Sequence, residues 1–364
     1  MKPIECENVF IYSLFIMLIK KKRFYVVMIM NTRTTIRDVA KEANVSIATV
    51  SKALNGVDVV KASTKAKVIA AAKNLHYVPN LMGKELKKSR TKRIGFYTTS
   101  ITGPYFSVLI ESIAREAEKH GYALNVFISM EKEVVLTSIL GGAVDGFIGF
   151  EDMLDEEDLE IIRNESVNAV FIDRNIQDHT FGSIVFNSNE SAEYATSYLI
   201  AKGHRNIAFV KGFDGVYDSD ERFKGYQQAL RKAHIPLKPH YLIEGRFEEN
   251  FAYQSTEKFL HKQKDLPTAF LAGNDLSAIG VTKAIEHAGY HVPNDFSVVG
   301  FDGIELLKYF RPSLTTIVNP IKEQGELATQ HLVKLINGDV SGKSFVLNGR
   351  LVEGESVYQF NRNE

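Results

Sequence analysis

The stretch TIRDVAKEANVSIATVSKALN, from Thr35 to Asn55, decides the organisation of this chain of 364 residues. Thr35 followed by Asp38 has the spacing of a capping box, which satisfies free amides at a helix N-terminus. Apolar residues follow at helical spacing, Asn44 suits a turn, and Ser46 can cap a second helix. The stretch therefore predicts two short helices joined by a tight turn.

The second helix directs small and basic side chains away from its apolar face. Val50, Ala53 and Leu54 form that face, and the outward residues are Ile47, Ala48, Ser51 and Lys52. In a helix-turn-helix, the second helix enters the major groove of DNA. An ordinary helical hairpin in a core is the alternative, but two capping signals and an outward face without acidic residues favour DNA recognition.

Charge is distributed unevenly along the chain, although the formal net charge is zero. Residues 31–93 hold 14 Lys or Arg and 4 Asp or Glu, a net charge of +10. Residues 1–30 have a net charge of +3, and the remainder has −13. A basic head on an acidic body is the electrostatic pattern expected of a protein whose head binds phosphates.

Composition excludes several other classes of site. The single cysteine, Cys6, excludes an internal disulfide and a cysteine-based metal cluster, so a reducing cytosol is the expected compartment. His287 and His291 are four residues apart, but Gly289 and Pro293 predict a loop there, so we expect no metal. No nucleophile elbow, phosphate-binding loop or dinucleotide fingerprint is present, which argues against an enzyme. No cofactor is expected.

Residues 1–30 precede the predicted head. Their apolar run VFIYSLFIMLI, residues 9–19, has 11 positions and is followed by KKKR. It is too short to cross a hydrocarbon core of about 30 Å, and a signal peptide carries its positive charge before the apolar run. We expect an extension without function, with translation starting at Met28 or Met30. A short membrane anchor is the alternative.

After Gly56 the pattern predicts a third helix capped by Ser63 or Thr64, which closes a small core with the first two. A short basic helix follows Pro79. From Ile94 onward, apolar strands such as IGFYT and NIAFV alternate with amphipathic helices. Regular alternation predicts parallel sheets covered by helices. About 270 residues of it exceed one sheet, so we expect two lobes, with ligands at the carboxyl ends of the strands.

Many segments resemble the LacI/GalR family of transcription regulators, in the family's order, from about Thr35 to near Val357. They are TIRDVAKEANVSIATVSKALN, the run from Thr64 to Asn80, VDGFIGF, FIDR, YLIAKGHRNIAFV, ERFKGY, LAGNDLSAIG, VPNDFSVVGFDG and RPSLTTIVNP. The resemblance implies an α/β protein with a three-helix helix-turn-helix head, a hinge helix and a two-lobed core like that of periplasmic binding proteins. It also implies a homodimer on a pseudo-palindromic operator.

The expected domains follow from the resemblance and the strand pattern. The boundaries are residues 1–30 for the extension, 31–78 for the head, 79–92 for the hinge helix and linker, 93–186 with 318–340 for the first lobe, and 187–317 with 341–364 for the second.

The resemblance also assigns DNA contacts. Ile47, Ala48 and Lys52 correspond to the residues that read bases, and Leu86 corresponds to a leucine that opens a base step in the minor groove. Lys52 replaces the family's usual Arg and lacks its planar fork, so we expect a different specificity there. The complete predicted set is Thr35, Ser46, Ile47, Ala48, Thr49, Ser51, Lys52, Asn55, Asn80 and Leu86.

The effector cleft is assigned in the same way. The positions implied are Tyr105, Phe106, Asp173, Asp218, Arg222, Phe247, Asn274, Asp302 and Asn319. Acidic, amide and guanidinium groups with aromatic rings suit a neutral polyol. Each residue also has a structural alternative: Asn274 or Asp275 can cap a helix, Asp302 can hold a turn, and Arg222 can pair with Glu221 or Asp218 on the surface.

The expected function is that of a cytoplasmic dimeric regulator, a repressor whose operator affinity depends on a small carbohydrate. A catabolite-control-type regulator signalled by a phosphorylated carrier protein is one alternative. A solute-binding protein without DNA function is an alternative of another class, which the basic head argues against.

Overall fold

The computed structural model describes residues 34–54, 59–77, 90–151, 153–176 and 178–360. The chain divides into two compact units, one within residues 1–89 and the other within residues 90–364. The predicted DNA contacts Asn55, Asn80 and Leu86 lie outside the described residues, as do residues 1–33 and most of the predicted hinge. Within the described part of the chain, no helix is long and apolar enough to cross a membrane.

The described part of the first unit contains three helices, α1 (Ile36–Glu42), α2 (Ile47–Leu54) and α3 (Ala62–Asn74). Val39, Val50 and Val68, one from each helix, are completely buried and form the centre of a small apolar core. Burying side chains of this size stabilises the unit by roughly 1.5–3 kcal/mol each. The predicted three-helix core is therefore confirmed.

Two predicted helix starts are confirmed and one is wrong. The Asp38 Oδ2 atom accepts the Thr35 amide at 2.8 Å and the Thr35 hydroxyl at 2.7 Å. Ser46 Oγ accepts the Thr49 amide at 3.1 Å. The third helix starts at Ala62 instead, with Lys61 at the N-cap position and no side-chain cap. Its first turn therefore begins before the Ser and Thr that were expected to cap it.

The second unit contains two six-stranded sheets. The first has the order β11-β5-β4-β3-β1-β2, and all its strands are parallel. Its strands are β1 (Arg93–Thr98), β2 (Ala123–Ile128), β3 (Gly146–Phe150), β4 (Asn168–Ile172), β5 (Gly182–Phe186) and β11 (Ser344–Leu347). Its helices are α4 (Pro104–Lys119), α5 (Lys132–Leu140), α6 (Glu156–Asn164) and α11 (Ile321–Asn337).

Both faces of the first sheet are covered. Ile148 packs toward α4 and α11, and its neighbour Phe147 packs toward α5 and α6. Because successive residues of a strand point to opposite faces, a strand covered on both sides is apolar throughout. This explains the continuous apolar runs in the sequence.

The second sheet has the order β12-β10-β9-β8-β6-β7, and only the pair β10 and β12 is antiparallel. Its strands are β6 (Ile207–Lys211), β7 (Leu242–Glu244), β8 (Ala269–Ala272), β9 (Ser297–Asp302), β10 (Thr315–Val318) and β12 (Arg350–Val352). Its helices are α7 (Ser188–Ala201), α8 (Tyr217–Lys232), α9 (Glu249–Lys262) and α10 (Asp275–His287), with short 3₁₀ turns at Pro239–Tyr241 and Glu305–Tyr309.

The chain crosses between the two lobes three times, after β5, after β10 and after β11. Ser344–Leu347 pair with Ser183–Phe186 of the first sheet. The expected boundary therefore differs from the structure, because part of residues 341–364 completes the first lobe before the chain returns to the second. The two-lobed parallel architecture itself is confirmed.

Candidate functional site

The outward face of α2 has the composition predicted for a DNA-reading surface. Ile47 is 45% exposed, and Ser46, Ala48 and Lys52 are also exposed. The remaining predicted contacts of this helix, Thr49 and Ser51, are half-buried. Val50 and Ala53 anchor the opposite face in the core, so the orientation of the helix is fixed by packing.

Thr35 is exposed, but its side chain has a local role. Its hydroxyl donates to Asp38, and these hydrogen bonds lower the pKa of the Asp38 carboxyl group. The hydroxyl proton is therefore already used in capping α1, which leaves the oxygen as the group that faces solvent.

A cavity between the two lobes of the second unit brings together eight of the nine predicted effector residues. They are Tyr105, Phe106, Asp173, Asp218, Arg222, Phe247, Asn274 and Asp302. The space between its walls is about 650 Å³, including the part open to solvent. Both lobes contribute, because the cavity lies where the strands of both sheets end.

Arg222 is the centre of the polar wall formed by the second lobe. It is only 3% exposed, and its Nη2 atom donates to Asp218 Oδ2 at 2.8 Å and to Asp302 Oδ1 at 3.3 Å. Nη1 donates to the carbonyl of Gly273, and Nε lies 3.3 Å from Ser188 Oγ. The alternative of a surface ion pair is therefore wrong, since the pair with Asp218 is buried in the cavity wall.

Tyr105 and Asp173 form the polar wall of the first lobe. The Tyr105 hydroxyl donates to Asp173 Oδ2 at 2.9 Å, and Gln324 Nε2 donates to Asp173 Oδ1 at 3.3 Å. The Phe106 and Phe150 rings lie beside them, with centroids 5.0 Å apart. Polar groups next to an aromatic surface suit a ligand that has both hydroxyl and apolar faces.

Burial changes the titration of these acids. Burial and the negative charge of Asp218 raise the pKa of Asp173 well above its ordinary value. Burial also raises the pKa values of Asp218 and Asp302, although the Arg222 guanidinium opposes both shifts. Raised pKa values mean that burial favours the neutral, protonated form of these carboxyl groups more than water does.

Asn274 and Phe247 are held together. Asn274 Oδ1 accepts the Ser277 amide at 2.9 Å and so caps α10, while Nδ2 donates to the Phe247 carbonyl at 3.0 Å. The capping alternative for Asn274 is therefore correct, but the same residue also lines the cavity. Phe247 places its ring 5.6 Å from the Arg222 guanidinium.

The backbone is unusual at three cavity residues. Asp173, Phe247 and Asp302 have φ angles of +56°, +56° and +104°. Non-glycine residues with positive φ are disfavoured and cluster at binding sites, where the surrounding structure imposes them. The side chains of these residues are therefore positioned by conformations that the isolated chain would rarely adopt.

Asn319 does not line the cavity with the other predicted residues. Its side chain is buried beside the Asp302 carboxyl group, with which it forms a hydrogen bond, and its backbone amide donates to the Asp302 carbonyl at 3.1 Å. Asn319 follows β10 at the crossing to α11, next to a residue that does line the cavity, and a direct effector contact stays a prediction.

Two residues with supporting roles were not predicted. Gln324 of α11 contacts both Tyr105 and Asp173. Asp275 is completely buried, and its carboxylate accepts the Thr316 hydroxyl at 2.6 Å and the Ile304 amide at 2.9 Å. Because Ile304 lines the cavity, Asp275 positions one of its walls. Other lining residues absent from the prediction are Thr102, Gly103, Pro104, Phe150, Glu151, Val216 and Leu276.

Among the described residues, no group of three or more His, Cys, Asp or Glu side chains has the arrangement of a metal site. The His287 imidazole instead contacts Glu257 Oε1 and the Tyr253 hydroxyl, each at 2.7 Å.

Two family models match the sequence. Residues 35–80 match "Bacterial regulatory proteins, lacI family", and residues 196–357 match "Periplasmic binding protein-like domain". The chain is 34% identical over 306 residues to the probable HTH-type transcriptional repressor ExuR of Bacillus subtilis (strain 168), covering 83% of this chain and 92% of that protein. It is 35% identical over 330 residues to the HTH-type transcriptional repressor PurR of Photorhabdus laumondii, covering 89% and 96%.

Solved structures show the same architecture. The lac repressor dimer bound to operator and the anti-inducer ONPF is 29% identical with a TM-score of 0.76, covering 90% of this chain and all of that chain. The complex of the transcriptional regulator CelR with cellobiose is 25% identical with a TM-score of 0.68, covering 89% and 100%.

Proposed function

This chain belongs to the lacI family of bacterial regulatory proteins, and on that premise we propose that a small carbohydrate in the interlobe cavity changes its affinity for an operator. The chain is a DNA-binding transcriptional repressor controlled by a small molecule. The observation that carries the carbohydrate proposal is the convergence of Arg222, three aspartates and an aromatic wall in one cavity.

The polar groups of the cavity are already oriented by one another. Arg222 holds Asp218 and Asp302, and Tyr105 holds Asp173. Preorganised donors and acceptors lose little entropy when a polyhydroxyl ligand binds. A sugar also brings an apolar ring face, for which Phe106 and Phe150 provide a complementary surface. Ribose and cellobiose occupy two structures of similar fold.

The effector and the operator are coupled through the lobes. A ligand that contacts both walls binds best to one arrangement of the lobes. If the operator is bound best by another arrangement, binding of the ligand weakens binding of the operator. The coupling is reciprocal, so each ligand changes the affinity for the other by the same factor. We infer that the protein acts in the cytoplasm, where its operator lies.

We further infer that the operator is bound by a homodimer. The lac repressor structure that this chain resembles is a dimer on its operator. Here the edge strand β2 exposes Val126 and Ile128, at 41% and 49%. Unpaired edge strands with apolar side chains associate readily. A Val126→Glu variant is expected to sediment as a monomer, whereas Tyr194→Glu, at an exposed aromatic of the second lobe, is the matched control and stays dimeric.

Calorimetry with a panel of sugars, combined with mobility shifts on the promoter DNA next to the gene, tests the proposal. A sugar that binds and also changes the DNA affinity is the expected result. DNA binding without heat from any sugar would favour the regulator signalled by a phosphorylated carrier protein. Sugar binding without any DNA shift at low salt would favour a solute-binding protein.

A further inference from the structure

Three asparagines occupy corresponding positions at the three crossings between the lobes. Asn187 directly follows β5, Asn319 directly follows β10, and Asn348 directly follows β11. A side-chain amide both donates and accepts hydrogen bonds, so it can join segments that no longer pair within a sheet. Each crossing therefore begins with the same bonding group.

The first and third crossings are bonded to each other. Asn187 Nδ2 donates to Asn348 Oδ1 at 2.9 Å, and the Asn187 backbone amide donates to the Leu347 carbonyl at 2.8 Å. The same Nδ2 atom donates to Glu190 Oε2 at 2.8 Å, and the Asn187 side chain caps α7. One side chain thus connects the crossing from β11 to β12 with the first helix of the second lobe.

Gly349 lies where the ends of the strands meet. A Cβ atom at this position would lie 2.8 Å from Ile317 Cγ2 and 2.9 Å from two atoms of the Phe186 ring. Both neighbours are almost completely buried, and Phe186, the last residue of a first-lobe strand, packs in the core of the second lobe. The third crossing therefore fits against the strand ends of the other two without room for a methyl group.

Two contacts connect the crossings with the effector cavity. The Asn319 side chain forms a hydrogen bond with the Asp302 carboxyl group. The Phe186 ring lies 5.8 Å from the Arg222 guanidinium. Because Asp302 and Arg222 line the cavity, a ligand that displaces either side chain also changes contacts at the crossings.

We propose that Asn348 and Gly349 set the equilibrium between the arrangements of the two lobes. This inference rests on the proposed coupling of effector and operator through the lobes, and it assigns part of that control to residues outside the cavity lining. Rotation of one lobe against the other changes backbone torsions at the crossings, because these segments join the lobes. The Asn187–Asn348 hydrogen bond and the packing around Gly349 therefore favour the present arrangement over any arrangement that breaks them.

Interlobe distances in the full chain without effector test the proposal. Glu157→Cys in α6 and Arg231→Cys in α8, both at exposed positions, carry spin labels in a Cys6→Ser background. A small fraction of labelled chain in an excess of unlabelled chain keeps the measured distance within one protomer. Double electron–electron resonance then gives the distribution of distances between the lobes.

Two variants perturb the crossings in different ways. Asn348→Ala removes the acceptor of the crossing bond, and the population ratio of the present arrangement to the others is expected to fall roughly two- to tenfold, about the effect of one net hydrogen bond. Gly349→Ala forces the crossing away from Ile317 and Phe186, so a larger shift is expected. Ser341→Ala, at an exposed position before β11, is the matched control and keeps the wild-type distribution.

Wild-type distance distributions in both variants would overturn the proposal. If Gly349→Ala does not fold, Asn348→Ala decides alone, because this side chain is exposed. A lower urea midpoint for Asn348→Ala without a change in the interlobe distance would show that the bond only stabilises the fold, and it would also overturn the proposal.

Operator affinity separates the two levels of inference. In mobility shifts on the promoter DNA, the affinity of Asn348→Ala is expected to differ from that of the wild type by up to the factor measured for the population ratio. A changed distance distribution with unchanged operator affinity contradicts the proposed coupling and leaves the role of the crossing residues intact. Absence of binding by every sugar contradicts the carbohydrate effector and also leaves that role intact.

Discussion

Protonation of one buried histidine is expected to destabilise the second lobe. His204 is completely buried. Its Nδ1 atom lies 2.9 Å from Thr268 Oγ1, and Nε2 lies 3.0 Å from Ser297 Oγ and 3.3 Å from the Tyr358 carbonyl. The Tyr358 amide donates to Ser297 Oγ, so the imidazole joins β9 to the C-terminal segment.

Burial lowers the pKa of His204 from 6.5 to about 4. The unfolded chain therefore binds the proton more tightly than the folded chain, and folding favours the neutral imidazole. The contribution of His204 to the free energy of unfolding is fully present above pH 6.5, and it decreases as the pH falls toward 4. At 1.36 kcal/mol for each pKa unit, the loss is about 2 kcal/mol at pH 5 and about 3 kcal/mol at pH 4.

Urea unfolding followed by circular dichroism at pH 7.5, 6 and 5 measures this loss. The glutamine side chain of the His204→Gln variant does not titrate. The difference in the free energy of unfolding between the wild type and this variant therefore isolates the contribution of the histidine from those of other acidic and basic groups. His261→Gln, at an exposed position of α9, is the control and should follow the wild type. If the difference in the free energy of unfolding between the wild type and His204→Gln is the same at all three pH values, the reasoning is refuted.

Three further outcomes are expected. Asp275→Ala leaves the Thr316 hydroxyl and the Ile304 amide without their buried acceptor, so the free energy of unfolding should fall by about 2 to 4 kcal/mol; an unchanged urea midpoint would contradict this. Ser46→Ala removes the cap of α2 and should lower the stability of the head by about 1 kcal/mol, measured by thermal denaturation. Lys52→Arg should change the preferred base at one operator position in a selection from random DNA; identical preferences would show that Lys52 does not read that base.

Much of the fold could be predicted because its signals are local. Strands covered on both faces are apolar throughout, and helices that cover them repeat apolar residues with a different period. The start of α6 is also marked locally, because Asp155 and Asp158 form a capping box there. The strand β11 was assigned to the wrong lobe, because pairing with β5 depends on contacts more than 150 residues away in the chain.

The candidate site could be predicted in part for the same reason. Asp173 and Asp302 follow or end recognisable strands, so their place at the strand ends was expected. Gln324 could not be found, because only the crossing between lobes brings α11 beside Tyr105. Asn319 directly follows β10, but its burial beside Asp302 depends on the neighbouring strand β9. The burial of Asp218 beside Arg222 also depended on packing that no local pattern encodes.

The three crossings between the lobes have a consequence for synthesis of the protein on the ribosome. The first sheet is completed by β11, residues Ser344–Leu347, although four of its strands precede residue 173. At roughly 5–20 residues per second, those early strands wait on the order of ten seconds or more for their last partner. The nascent repressor therefore emerges with an unfinished sheet edge, and it becomes able to sense its effector only after nearly the whole chain has been translated.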